Sequence, residues 1–150
     1  MAVIEAGKTA PPVPDVTFGD GPVALVFYKV TCPVCQMAAP KIEALATAYP
    51  GHVVGIGQDP PPELERFGRE YGMGVPATPD LPPYEVSNAY GIESVPTVVL
   101  VDGDGSVVDT VASWDRAGYN RVSERLATLL GEGPVVVSDP SDGLPAFRPG

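Results

Sequence analysis

The chain holds two cysteines in 150 residues, and they stand three apart in Cys32-Pro33-Val34-Cys35. At that spacing on the first turn of a helix, two thiols share one side and a disulfide can bridge them. Pro33 suits the first helical position, because the N–H it lacks would find no acceptor there. Cys32 then becomes the N-cap, with its sulfur facing the free N–H groups of the helix start. Cys35 lies one turn further in. The thiolate is the reactive form of cysteine, and the positive end of a helix favours it. Thr31 is the nearest hydroxyl; Pro33 and Val34 bring no side-chain donor. The chemistry such a pair can do is reversible dithiol–disulfide exchange. Zinc is the competing use of this spacing, but zinc takes four ligands. The chain offers only Cys32, Cys35 and His52 as soft ligands, and His52 opens a strand elsewhere. No metal and no cofactor are expected.

The elements around the pair follow from hydrophobic spacing. Val23-Ala24-Leu25-Val26-Phe27-Tyr28 is a short, continuous apolar run, which reads as a strand buried on both faces. After Cys35 the period changes. Ile42, Leu45, Ala46 and Tyr49 lie on one helical face, and Pro50-Gly51 ends the helix. Pro40 falls inside it and should bend it. His52 to Gly57 is a second apolar strand, so the first two strands should be parallel neighbours. Leu64, Phe67 and Tyr71 mark a second helix, and a short strand is expected near Val75. Glu85 to Tyr90 reads as one or two helical turns. Thr97 to Val101 is a third strong strand. Asp102-Gly103-Asp104-Gly105 turns it into an antiparallel partner, Ser106 to Val111. A last helix starts at Asp115, a good N-cap, and runs to Gly131 with Tyr119, Val122, Leu126 and Leu129 on one face. Residues 1–20 are turn-rich and expected as a β-hairpin extension. Residues 132–150 read as a Gly/Pro-rich tail. One further feature bears on the site: Val95-Pro96-Thr97 puts a proline at the start of a central strand, where it marks a turn, a bulge or a cis bond.

Composition narrows the class. Charged residues make up 19% and hydrophobic ones 44%, against the signature of a disordered chain. A net charge of −10 argues against nucleic acid or an anionic membrane surface as a partner. No apolar run reaches the length of a membrane span. With no signal-peptide pattern visible at Met1 to Glu5, a cytoplasmic, monomeric domain is expected.

These motifs resemble the thioredoxin superfamily: apolar strand, Cys-x-x-Cys, a helix with Pro five residues after the second Cys, then Val-Pro-Thr before a strand and an Asp-Gly turn. The likeness spans roughly residues 1–131. It is nearest to the TlpA-like and peroxiredoxin-like branch, which inserts a segment before the proline strand, as residues 58–90 do here. The opening Gly7-Lys8-Thr9-Ala10-Pro11 is also similar to that branch. The resemblance implies an α/β thioredoxin fold, a central mixed sheet flanked by helices. It implies Cys32 as attacking nucleophile and Cys35 as resolving thiol. It also implies a cis peptide before Pro96 packed beside the sulfurs, with Val95, Pro96, Thr31, Pro33 and Val34 facing a substrate. The partners would be a disulfide-containing protein or small molecule and an electron donor.

The chain also departs from the pattern. Thr31 replaces the usual Trp, and Pro33-Val34 replaces Gly-Pro. Val26 stands where thioredoxins keep a buried Asp, and Ala38 where TlpA-like proteins keep a Glu. No base for Cys35 is therefore identified. Lys29 is the nearest titratable residue in the sequence and reads as a solvated strand-end lysine. Two other functions are weighed. A peroxidase needs Pro and Thr or Ser ahead of its cysteine, where this chain has Leu25 and Lys29. Thr31 and Arg116 or Arg121 could substitute only by rearrangement. A non-catalytic module would use the groove around Val95-Pro96 to hold extended peptides.

Overall fold

The computed structural model of the chain describes residues 2–150. In chain order the elements are β1 (Val23–Tyr28), α1 (Pro33–Ala48), β2 (Val53–Gly57), α2 (Pro61–Tyr71), β3 (Ala77–Pro79), α3 (Glu85–Ala89), β4 (Thr97–Val101), β5 (Val107–Ala112), β6 (Trp114–Asp115), α4 (Arg116–Leu130) and β7 (Phe147–Arg148). Five strands form one sheet in the order β3-β2-β1-β4-β5. β3, β2 and β1 run parallel, and β4 and β5 are antiparallel to their inner neighbours. This is the central mixed sheet that the resemblance implies.

All six residues of β1 are buried. Successive strand side chains point to opposite faces, so a strand apolar at every position has to be covered twice. Ala24, Val26 and Tyr28 enter one core with Cys35, Ala38, Ile42 and Leu45 of α1 and Tyr119, Val122 and Leu126 of α4. Val23, Leu25 and Phe27 enter the other with Val99, Val101 and Tyr90, and with Ala10 and Val13 from the N-terminal segment. α1 continues through Pro40 as one helix. α4 starts where expected, with the Asp115 carboxylate accepting the Gly118 N–H at 3.3 Å.

Three expectations change. Residues 2–22 form no hairpin. Pro11, Pro12 and Pro14 have no N–H to give a ladder. The segment crosses the edge of β5 instead, where Thr9 bridges Ser106 and the Gly7 N–H donates to the Val107 carbonyl at 2.9 Å. The strand expected near Val75 forms two residues later, as β3. Residues 132–150 lie against the domain, with Val137 and Ser138 buried. They include a 3-10 turn at Pro140–Asp142 and the short β7, which pairs antiparallel with β6. The run Val135–Val137 makes no strand. Among the described residues, no helix is long and apolar enough to cross a membrane.

Candidate active site

The topology brings three chain segments to one end of the sheet. Parallel strands end side by side, and Tyr28 stands opposite Gly57 in the β1–β2 register. The residues that follow, Lys29-Val30 and Gln58-Asp59, therefore meet. The Asp59 carboxylate accepts the Val30 N–H at 2.8 Å, and the Gln36 side-chain amide donates to the Val30 carbonyl at 2.9 Å. Both polar groups of Val30, two residues before Cys32, are thus held. β4 runs antiparallel to β1 with Thr97 beside Phe27, so the loop leading into it arrives at the same end. The Val95–Pro96 peptide in that loop is cis.

Cys32 caps α1 in an extended conformation, φ −83° and ψ 114°. Its sulfur accepts the Cys35 N–H at 3.2 Å, and its thiol donates to the Val95 carbonyl at 3.4 Å. Both cysteines are free thiols, with Cys32 partly exposed and Cys35 buried. Burial pushes the Cys35 thiol well above its ordinary range; the hydrogen bond with Cys32 adds to this, and the Lys29 backbone offsets part of it. The pair is therefore unlike: a partly exposed sulfur at a helix start and a buried one a turn further in. Two phenols lie within electrostatic reach of Cys35. Burial raises the Tyr28 hydroxyl first, and negative charge on Asp59 and Cys35 raises it further. Burial likewise raises Tyr119, with Cys35 and Cys32 contributing after it. The Tyr119 hydroxyl is buried with no hydrogen-bond partner among the described residues.

Of the five residues expected to face a substrate, four lie around Cys32. Thr31 and Pro33 are exposed, Val95 is half-buried, and Pro96 is buried beside it. Val34 is a correction: at 5% exposure it points into the core with Ala38. Two positions after the cap, the helix turns this side chain into the core. Lys29 is drawn away from the sulfurs, its ammonium 5.8 Å over the Tyr84 ring. The two arginines considered for a peroxide pocket are engaged elsewhere. Arg121 pairs with Asp109 at 2.7 Å, and Arg116 binds Asp142 at 3.2 Å and the Leu144 carbonyl at 2.7 Å. His52 shares a hydrogen bond of 2.6 Å with the Pro22 carbonyl, away from the thiols. Among the described residues, no cluster of three or more His, Cys, Asp or Glu side chains is placed to hold a metal.

Sequence reasoning missed Asp59 and Gln36 as the residues that hold the approach to Cys32. A signal for Asp59 existed: it lies two residues past the end of the strand expected to be β1's parallel neighbour. The two tyrosines gave none, because apolar periodicity does not tell where a hydroxyl ends up.

A central mixed sheet flanked by helices, with the thiol pair at the start of α1 and the Val95–Pro96 turn against it, defines a thioredoxin fold. Within that class the chain belongs to the AhpC/TSA family, whose model matches residues 13–110. It is 34% identical over 110 residues to the methylamine utilization protein MauD of Paracoccus versutus, covering 73% of this chain and 51% of MauD. It is 32% identical over 90 residues to the thiol-disulfide oxidoreductase ResA of Halalkalibacterium halodurans, covering 57% of this chain and 51% of ResA. The chain thus spans about half the length of these relatives. Among solved structures it resembles a secreted Mycobacterium tuberculosis disulfide oxidoreductase homologous to E. coli DsbE. That match has a TM-score of 0.59 and 25% identity, over 73% of this chain and 82% of the other.

Proposed function

We propose that this protein is a thiol–disulfide oxidoreductase that exchanges disulfides with proteins or small molecules through Cys32 and Cys35. The observation that carries the reading is the asymmetry of the pair: a partly exposed sulfur at the helix cap, which accepts the Cys35 backbone N–H at 3.2 Å, and the buried thiol of Cys35 itself. In the reductive direction the Cys32 thiolate attacks one sulfur of a substrate disulfide. A mixed disulfide forms and the other substrate sulfur leaves as a thiolate, which takes up the proton that Cys32 released. Cys35 then attacks the Cys32 sulfur, and its proton passes to the departing substrate thiolate. The substrate gains two electrons and the enzyme is left as the Cys32–Cys35 disulfide. A dithiol electron donor returns it to the reduced state. The relatives named thiol-disulfide oxidoreductase and disulfide oxidoreductase support the same chemistry.

Trapping tests the roles. Cys35→Ser should accumulate mixed disulfides that vanish with dithiothreitol, because no internal thiol remains to resolve them, and Cys32→Ser should trap nothing. Adducts on Cys32→Ser alone would reverse the roles. Peroxide consumption by the wild type with no adducts on either variant would replace this reading with the peroxidase one. The reduction potential then sets the direction: about −270 mV marks a reductase and about −120 mV an oxidant. We infer a cytoplasmic location and a monomer. A thiol reagent that cannot cross membranes should label the protein only after cell lysis, and light scattering reads the mass.

A further inference from the structure

The C-terminal segment returns to the thiols. The Gly150 N–H donates to the Ser113 hydroxyl at 3.1 Å. The Gly150 backbone lies so close to the Val95 carbonyl that a methyl group there would sit 2.7 Å from the carbonyl carbon. That carbonyl also receives the Cys32 thiol. β7 extends the cover, pairing Arg148 with Trp114 and Phe147 with Asp115. Arg148 reaches over to the Met37 sulfur of α1 at 3.8 Å, two residues past Cys35.

The segment is firmly held behind this cover and weakly held within it. Asp142 ties the 3-10 turn to α1 through Lys41 at 3.0 Å and to α4 through Arg116 at 3.2 Å. Ser138, at 1% exposure, donates to the same carboxylate at 2.6 Å. The indole of Trp114 donates to the Pro145 carbonyl at 2.7 Å, and the Arg116 N–H donates to the Ala146 carbonyl at 2.9 Å. Beyond Ala146 the polar contacts are the β6–β7 pairing, the Ser113 hydroxyl and the long Arg148–Met37 contact, and Phe147 is 56% exposed.

We infer that residues 147–150 form an internal cover over the Val95–Cys32 strip, an autoinhibitory contact that a protein substrate must displace to reach Cys32. The anchor at Asp142 keeps the cover at high local concentration, and the weak contacts past Ala146 let it lift. A site open only part of the time shows an apparent affinity reduced by its open fraction. Freeing the cover should therefore accelerate attack on bulky partners.

Two variants test this. Gly150→Ala places a methyl group against the Val95 carbonyl, which is backbone and cannot move aside. Shortening the chain to end at Ala146 removes the cover but keeps the acceptors for Trp114 and Arg116. Each is compared with wild type for dithiothreitol-driven reduction of insulin and for labelling of reduced Cys32 by a bulky maleimide, read by peptide mass spectrometry. Loss of one part-buried hydrogen bond should raise both rates about fivefold. Unchanged labelling in both variants overturns the cover, as does faster labelling without faster insulin reduction in an active protein. The inference rests on the oxidoreductase reading only for its insulin arm. Faster labelling when no form reduces insulin would sink that reading and leave the cover standing.

Discussion

Tyr119 and Tyr49 lie in the same core, and removing their hydroxyls should have opposite effects. Tyr119 is 1% exposed, its ring 4.6 Å from that of Trp114, and its hydroxyl has no hydrogen-bond partner among the described residues. An unsatisfied buried hydroxyl costs about 1–3 kcal/mol. Tyr119→Phe keeps the ring and its contact with Trp114 and deletes that cost, so stability should rise by about 1–2 kcal/mol. In a chain of this size that is roughly 2–4 °C in Tm per kcal/mol. Tyr49 is equally buried, but its hydroxyl is 2.8 Å from that of Ser123 and accepts the Val135 N–H at 3.2 Å. Tyr49→Phe strands that N–H and should destabilise by about 1–3 kcal/mol. Urea unfolding of the reduced protein reads both, and an unchanged m-value shows that only stability moved. A loss of stability in Tyr119→Phe comparable to that in Tyr49→Phe would refute the reasoning, because it would mean the Tyr119 hydroxyl is bonded.

Further predictions concern the site and its supports. Burial raises the Cys35 thiol above its ordinary value of 9.0; the unfolded chain therefore releases this proton before the native state does. Native stability of the reduced form should fall by about 1.4 kcal/mol per pH unit from this group once pH passes 9, with the slope absent in Cys35→Ser; urea midpoints at pH 8, 9 and 10 check it. Asp59→Ala leaves the Val30 N–H without its carboxylate and should cost about 1.5–3 kcal/mol, with slower alkylation of Cys32 as its loop loosens. Gly57→Ala would place a methyl group 2.9 Å from Leu64 Cδ1 under α2; overpacking there should cost about 1–3 kcal/mol in thermal unfolding.

The sequence alone determined the frame. Continuous apolar runs marked β1, β2 and β4, because a strand buried on both faces leaves no room for polar alternation. The amphipathic period and the Asp115 cap located α4. Cys32-Pro33-Val34-Cys35 placed one sulfur at a helix cap and the other a turn inside, since proline at the first helical position leaves few other arrangements. What needed the tertiary structure was everything set by long-range packing. The N-terminal segment could not be read as an edge-crossing coil, because its partners at Gly105, Ser106 and Val107 lie about a hundred residues away. Asp59 reaches Val30 only because two parallel strands end together. Val34 turned inward, while Thr31 and Pro33 stayed at the surface, because the helix phase against the sheet decides which side of a turn is buried. The path of residues 132–150 was least legible. Glycine and proline there suggest a loose tail by composition, yet one carboxylate, Asp142, meets Lys41 and Arg116 from two different helices. Such a meeting is a property of the assembled fold, and it carries Gly150 back to the Val95 carbonyl that the Cys32 thiol meets.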